Sequence, residues 1–93
     1  MGTFAVIYTY GTDTDTERDA IRPQHKDFLA DLHATGRLRI SGPIDSGAGA
    51  LLVLEGESAA EITSALDEDP FRKHDLIADR SVREWTIVFG GLR

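Results

Sequence analysis

The chain has 93 residues, of which 41% are hydrophobic and 28% are charged, and its net charge is −6. This length predicts a single domain over residues 1–93, and the acidic balance argues against nucleic acid as a partner, because phosphates require a positive surface. Cysteine is absent, which excludes disulfides and thiolate chemistry, and no apolar stretch approaches the roughly 20 residues that span a membrane, so we expect a cytoplasmic protein without a leader or lipid anchor.

The first predicted element is a strand, β1, over residues 4–10, which are almost all β-branched, apolar or aromatic. Because polar alternation is nearly absent, we expect both faces of this strand to be covered. Residues 11–19 are polar and predict a solvated loop, and Pro23 suits the first position of a helix. Side chains then recur at helical spacing from His25 onward, and Gly36 ends this first helix.

Three further strands are predicted from alternating or continuous apolar runs: β2 over residues 37–41, β3 over 50–54 and β4 over 82–89. Between β3 and β4, Ser58 and Glu61 form a capping box that opens a second helix. Residues 70–80 predict an irregular or short helical connector. The order βαββαβ indicates an α+β fold of the ferredoxin-like kind, with an antiparallel sheet and two helices on one face.

In this topology the end of β1, the start of the first helix, the end of β2 and the end of the second helix share one rim. Those places carry distinctive polar and aromatic residues: Tyr8, Tyr10, Arg22, His25, Ser41, Gly42, Asp69 and Phe71. The unpaired N–H groups at a helix start also favour an anionic group there. We therefore predict a small-molecule site at this rim.

Four segments carry a pattern whose order and spacing are specific together: Arg18-Asp-Ala-Ile-Arg22-Pro-Gln-His25, Ser41-Gly-Pro43, Gly49-Ala-Leu-Leu-Val-Leu-Glu55 and Asp67-Glu-Asp-Pro-Phe71. They resemble the YCII-related proteins, which are small dimeric α/β-barrel proteins akin to muconolactone isomerase in fold. The resemblance covers nearly the whole chain. It implies a homodimer, and it places the family's His-Asp active site on His25 and Asp69. One departure is His74-Asp75-Leu76, where the family pattern has Gly before Leu, so we expect a differently shaped loop there.

A carboxylate that accepts a hydrogen bond from one imidazole nitrogen leaves the other nitrogen free to act as a base. We predict that Asp69 orients His25 and that His25 removes a proton from a small, cyclic, aromatic or anionic substrate while Arg22 steadies an oxyanion. Lyase or isomerase chemistry fits best, and the resemblance implies activity on hydroxylated, halogenated aromatic rings. No cofactor is predicted. No metal is predicted either, because His25, His33 and His74 lack metal-ligand spacing.

Several alternatives remain open. His25 and Asp69 can serve only to tie two helices together, and the same rim pocket can belong to a non-catalytic binding or regulatory module. A cofactor-free monooxygenase is a third function for this fold. For Tyr8, Tyr10 and Phe71, packing in the core or at a dimer interface is the default role. The dimer is also expected because β1 and β3 are apolar on both faces, whereas two helices cover one face only.

Overall fold

The computed structural model describes residues 1–91. Its strands and helices are, in order, β1 (Gly2–Tyr10), α1 (Asp15–Ala34), β2 (Leu38–Ile44), β3 (Gly49–Gly56), α2 (Ala59–Leu66), α3 (Pro70–Lys73) and β4 (Ile77–Glu84). The four strands form one sheet in the order β2-β3-β1-β4, and each neighbouring pair is antiparallel. The parallel strands β1 and β2 are separated by β3, so the predicted ferredoxin-like α+β fold is confirmed.

Alternate side chains of β1 divide the sheet into a covered and an open face. Phe4, Val6 and Tyr8 are buried beneath the helices, whereas Ile7 on the opposite face is 40% exposed. The covered face packs with apolar residues of the other strands and helices, namely Leu38, Leu52, Leu54, Ile62, Leu66, Phe71, Leu76 and Ile77. Within one chain, therefore, only one face of β1 is well covered. No helix within residues 1–91 is long and apolar enough to cross a membrane.

Helix α1 begins about two turns earlier than the sequence indicated. The predicted loop over residues 11–19 ends at Thr14, and Pro23 lies inside the helix rather than at its first position. Ion pairs spaced i, i+3 stabilise these early turns, one between Arg18 and Asp15 and the next between Arg22 and Asp19. These ion pairs offset part of the cost of the backbone hydrogen bond that Pro23 cannot donate inside the helix. The predicted end is confirmed, because Gly36 adopts a positive φ of 82° just beyond the helix.

Strand β4 occupies Ile77–Glu84 and not residues 82–89. Residues 77–80, which were expected in the connector, pair with the end of β1, since Tyr10 lies opposite Ile77 and Tyr8 lies opposite Arg80. The alternating apolar residues from Trp85 onward look like a strand in the sequence, but the ladder with β1 ends at Glu84 and is followed by one bond from the Trp85 N–H to the Thr3 carbonyl. The polar residues 79–81 belong to the sheet because the register of β1 places them there.

Strand β2 is longer than predicted and runs to Ile44. The alternation of Leu38 and Ile40 predicts that both side chains lie on one face of the sheet. The register against β3 shifts between them, and they lie on opposite faces. Leu38 is buried in the core, whereas Ile40 is 52% exposed. Ser41 lies inside the strand as predicted, and the extension adds Gly42, so that the two residues lie opposite Leu52 and Leu51 of β3.

Helices α2 and α3 bring the end of the second crossover back to the rim of the sheet. The Ser58 cap of α2 is confirmed, since Ser58 Oγ accepts from the Glu61 N–H at 3.1 Å. The return bond of the predicted capping box is shifted, because Glu61 Oε2 accepts from the Glu57 N–H at 3.0 Å, one residue before the cap. Asp69 caps the N-terminus of α3, and Pro70 follows at the first helical position. This cap fixes the backbone that carries Asp69 and Phe71.

Candidate active site

A buried hydrogen bond joins α1 to the start of α3. His25 Nδ1 lies 2.8 Å from Asp69 Oδ1, and both residues are buried, with Asp69 fully enclosed. The same carboxylate oxygen accepts from the Phe71 N–H at 2.9 Å, as expected of an N-cap aspartate. Because the backbone of α3 orients Asp69, the carboxylate favours the His25 tautomer that carries its proton on Nδ1. The ring nitrogen Nε2 is then the free acceptor.

Tyr8 completes the surroundings of the carboxylate. Its hydroxyl donates to Asp69 Oδ2 at 3.0 Å, so both carboxylate oxygens accept hydrogen bonds. Burial, together with the charge of Asp69 and the bond to it, raises the pKa of Tyr8 well above its ordinary value, while the nearby Arg80 acts in the opposite direction. Tyr8 therefore stays a neutral donor. Tyr8 is fully buried and is absent from the lining of the cavity described below, so its contact with a ligand stays a prediction.

A continuous set of ring contacts forms one wall of the site. The imidazole of His25 stacks on Phe71 at a centroid distance of 4.0 Å, and Phe71 meets the ring of Tyr10 edge-on at 5.6 Å. The guanidinium carbon of Arg18 lies 4.3 Å from the centre of the Tyr10 ring, a cation–π contact. These contacts hold the imidazole plane and connect His25 to the arginine side of the site.

A cavity of about 230 Å³ lies in front of this wall. Its lining includes six of the residues predicted from the sequence, namely Tyr10, Arg22, His25, Ser41, Gly42 and Phe71. Apolar side chains of α1 and β3, Leu29 and Leu52, also line it. Sites for drug-sized ligands usually measure roughly 300–1,000 Å³. The smaller volume here suits a ligand with a single ring.

The charged side chains that line the cavity are cations although the whole protein is acidic, and two of these cations are paired with Asp15 or Asp19 outside the lining. Arg18, Arg22 and Lys26 line the cavity, and none of the lining side chains within residues 1–91 is a carboxylate. The net charge of the chain is −6. Positive groups around an apolar pocket raise the local concentration of anions, so this arrangement favours an anionic ligand.

Arg18 is the important lining residue that sequence reasoning missed. It lies one turn before Arg22 and two turns before His25, so all three side chains share a face of α1. This i, i+4, i+7 spacing was available in the sequence. The prediction of a loop over residues 11–19 excluded Arg18 from the helix, so this spacing did not identify it as a site residue.

Within residues 1–91, no group of three or more His, Cys, Asp or Glu side chains is arranged to hold a metal ion. The polar side chains that line the cavity are an imidazole, a phenol, a serine hydroxyl, two guanidiniums and an amine.

A family model for the YCII-related domain matches residues 3–86. The chain belongs to the YCII-related family. A solved structure similar to this YCII-related protein is the 5-chloro-2-hydroxyhydroquinone dehydrochlorinase TftG from Burkholderia phenoliruptrix, in complex with 2,5-dihydroxybenzoquinone. The two share 26% sequence identity and superpose with a TM-score of 0.79, over 90% of this chain and 93% of the other. No curated protein matches this YCII-related chain in sequence.

The backbone of Asp75, where the family pattern has glycine, adopts a conformation typical of glycine. Asp75 adopts a positive φ of 59°, the left-handed conformation that glycine adopts without steric cost. Aspartate is one of the few other residues that tolerate this region. The backbone of this loop therefore follows a path that a glycine would also take. Aspartate fits this path, so it does not require the different loop shape that we expected.

Proposed function

We propose that this protein is a cofactor-independent enzyme in which His25 acts as a general base on a small hydroxylated aromatic ring and Asp69 orients His25. The observation that carries the proposal is the position of His25. Its Nδ1 is bonded to the buried Asp69 carboxylate, and the same side chain lines a cavity. A base that is fixed on one nitrogen and accessible on the other meets the geometric requirement for proton transfer.

The surrounding residues suit a phenolic substrate. Leu29, Leu52 and Phe71 offer apolar surface to the faces and edges of a ring. Arg22 borders the same cavity and stabilises the oxyanion that forms when a ring hydroxyl loses its proton to His25. Burial raises the pKa of Tyr10, which keeps its phenol protonated as a hydrogen-bond donor.

The reaction that best fits these groups is elimination of a hydrogen halide from a halogenated hydroquinone. His25 takes a hydroxyl proton and returns it to the ring carbon that bears the halogen, giving a ketone. The halide then leaves with the electron pair of its carbon bond, while a second hydroxyl loses its proton to His25 and becomes a carbonyl. Hydrogen halide is lost in total and a quinone remains, so no external oxidant is needed. The likeness to TftG, a dehydrochlorinase, supports this choice.

A non-catalytic role is the second candidate, and one observation favours it. Asp69 caps α3 and accepts from Tyr8 as well as from His25, so its carboxylate already has a structural purpose. In that case the cavity binds a small acid without turnover, and His25 only joins two helices. Exchange of His25 distinguishes the two roles, because a binding module keeps most of its affinity whereas an enzyme loses its rate.

The proposal includes a homodimer that covers the open face of the sheet. Ile7 and Ile40 are exposed there, and β1 pairs Ile7 with Leu51 of β3 on the same face. Beyond β4, Val88 and Phe89 are almost fully exposed as well. Apolar side chains grouped in this way are typical of a surface that another protein covers. A second copy of this chain is the proposed partner.

The activity test follows chloride release and quinone absorbance with chlorinated hydroquinones as substrates. We expect turnover by the wild type and a loss of about 10²- to 10⁴-fold in kcat/KM for His25→Gln, which is the usual contribution of a general base. The matched control is His33→Gln, because His33 lies exposed on the same helix. Equal rates in all three proteins would refute the proposal, as would chloride release that no protein accelerates.

A further inference from the structure

We infer that Arg18 recognises a planar oxyanion on the substrate ring, at the end opposite the hydroxyl that faces His25. The inference rests on the proposed function for the identity of that hydroxyl. It adds a substrate class, namely single aromatic rings that carry a carboxylate or phenolate across the ring from the reacting group. It also assigns the recognition of this anion to one side chain.

The guanidinium of Arg18 is held in place before any ligand arrives. Its Nε donates to Thr14 Oγ1 at 3.0 Å, and the Thr14 hydroxyl donates in turn to the Gly11 carbonyl at 2.8 Å. Its Nη2 pairs with Asp15, and its carbon lies over the ring of Tyr10. The side chain is only 9% exposed although it borders the cavity. Little side-chain freedom is left to lose when an anion binds.

One edge of this guanidinium is still free. Within residues 1–91, Arg18 Nη1 makes no hydrogen bond. It is also accessible to solvent, because the buried side-chain nitrogen that lacks a partner in this part of the chain is Nη1 of Arg80 and not that of Arg18. Free N–H groups of a planar guanidinium match the geometry of a carboxylate. A fixed, permanently charged side chain with an unused donor therefore borders the cavity.

The two neighbouring cations are less suited to this task. The side chain of Arg22 is 39% exposed, compared with 9% for Arg18, and Lys26 is exposed on the helix surface. Their charges are better screened by water, and their side chains must be ordered on binding. Arg18 is therefore the cation expected to discriminate between ligands.

The spacing along α1 sets the position of the anion relative to the base. Arg18 and His25 are separated by two turns, or roughly 10 Å along the helix axis. Arg22 lies between them on the same face. A ring that presents its hydroxyl to His25 therefore reaches Arg18 with a substituent on its far side. A substituent beside the hydroxyl would instead lie near Arg22.

The experiment measures binding rather than turnover, by calorimetry, for para-hydroxybenzoate and its neutral analogue para-hydroxybenzamide. Wild-type protein should prefer the acid. Arg18→Met should bind the acid roughly 10- to 100-fold more weakly, because a charge-assisted hydrogen bond is lost, while its affinity for the amide changes little. Arg37→Met is the matched control, since it removes the same charge from a site near the other end of α1. A third probe, 2,5-dihydroxybenzoquinone, carries its negative charge on ring oxygens and shows whether phenolates depend on Arg18 as carboxylates do.

Arg18→Lys keeps the test decisive if Arg18→Met fails to fold. It retains the charge but not the planar donor, so it should weaken binding of the acid selectively. Three results would overturn the inference: no preference for the acid in wild type, equal losses for acid and amide, or loss of the preference only in Arg22→Met. His25→Gln should bind the acid with its preference intact. A protein without turnover can thus still confirm the role of Arg18, and an active enzyme can still refute it.

Discussion

The imidazole of His25 lies flat against the ring of Phe71, with the two planes only 5° from parallel. Phe71 also donates its backbone N–H to the carboxylate oxygen of Asp69 that faces His25. One residue therefore holds both members of the pair, the imidazole through its side chain and the carboxylate through its backbone. The orientation of His25 should depend on Phe71 more than on any other apolar neighbour.

Phe71→Leu should loosen the imidazole without unfolding the protein. Leucine fills part of the buried space but cannot stack, so we expect a loss of about 1–2 kcal/mol in the free energy of unfolding. The His25 ring protons should also move to lower field in the NMR spectrum, because they lose the ring current of Phe71. Phe28→Leu on α1 is the control. It should lower stability without moving the His25 signals, and unchanged His25 signals in Phe71→Leu would contradict the stacking.

Tyr8→Phe should cost about 1–3 kcal/mol in the free energy of unfolding, because it leaves the buried Oδ2 of Asp69 without a donor. Tyr10→Phe is the matched control, since no hydrogen bond of its hydroxyl is found within residues 1–91. Urea denaturation of the three proteins at neutral pH provides the comparison. Equal stability of both variants would mean that the hydroxyl of Tyr8 does not support the carboxylate.

The same tyrosine should make the protein sensitive to alkali. In the unfolded chain, tyrosine loses its proton near pH 10, whereas burial and Asp69 raise the pKa of Tyr8 in the folded protein. Above about pH 10 the unfolded state therefore binds fewer protons, and the free energy of unfolding falls by up to about 1.4 kcal/mol per pH unit. The fall should be shallower in Tyr8→Phe. Parallel curves for wild type and variant would contradict the assignment.

Gly49→Ala should strongly destabilise the contact between β3 and β1. An added Cβ at Gly49 would lie 2.2 Å from the backbone oxygen of Tyr8, so the strands would have to separate. We expect a loss of about 2–3 kcal/mol, as for other overpacked cores. Gly42→Ala is the control, since its Cβ would meet nothing within 4 Å. Thermal melts of both variants test this, and a melting temperature for Gly49→Ala close to that of Gly42→Ala would contradict the packing.

The proposed dimer should dissociate when a charge is placed on the open face of the sheet. Wild-type protein should sediment at twice the mass of the chain at micromolar concentration, and Ile7→Asp should sediment as a monomer, because burying an unpaired carboxylate in an interface is costly. Ser64→Asp on the exposed surface of α2 should remain dimeric. A wild type that sediments as a monomer would refute the dimer and any contribution of a second subunit to the cavity.

The order of elements predicted the strand order, and the resemblance to the YCII-related proteins implied the pairing of His25 with Asp69. Topology accounts for less of this pair than expected, because His25 lies in the middle of α1 and not at its start. A βαββαβ chain with right-handed crossovers brings the start of α1 and the end of the second crossover to one rim. The limits of α1 and β4 were predicted less well. The ion pairs in the first turns of α1 are spaced i, i+3 and could be recognised in the sequence, whereas the register that draws residues 77–80 into the sheet is set only in the folded chain.

The same comparison shows which of the predicted residues line the cavity and why. Phe71 follows the Asp69 cap of α3, so its position at the rim followed from the topology, whereas Arg22 lines the cavity from inside α1 and not from the predicted helix start. Tyr8 and Tyr10 were indistinguishable in the sequence, since both lie on one face of β1. Only the packing of Phe71 and Asp69 puts Tyr8 behind the carboxylate and leaves Tyr10 at the cavity. Arg18 was missed because its role depends on the full length of α1.

The central claim is that Asp69 keeps the proton of neutral His25 on Nδ1 and leaves Nε2 free as the base. The nitrogen-15 NMR spectrum of the His25 side chain in wild type and Asp69→Asn measures this directly. We predict the Nδ1–H tautomer in the wild type at a pH where the ring is neutral, and a mixture of tautomers in the variant. An Nε2–H tautomer in the wild type, or one that Asp69→Asn leaves unchanged, would contradict the account.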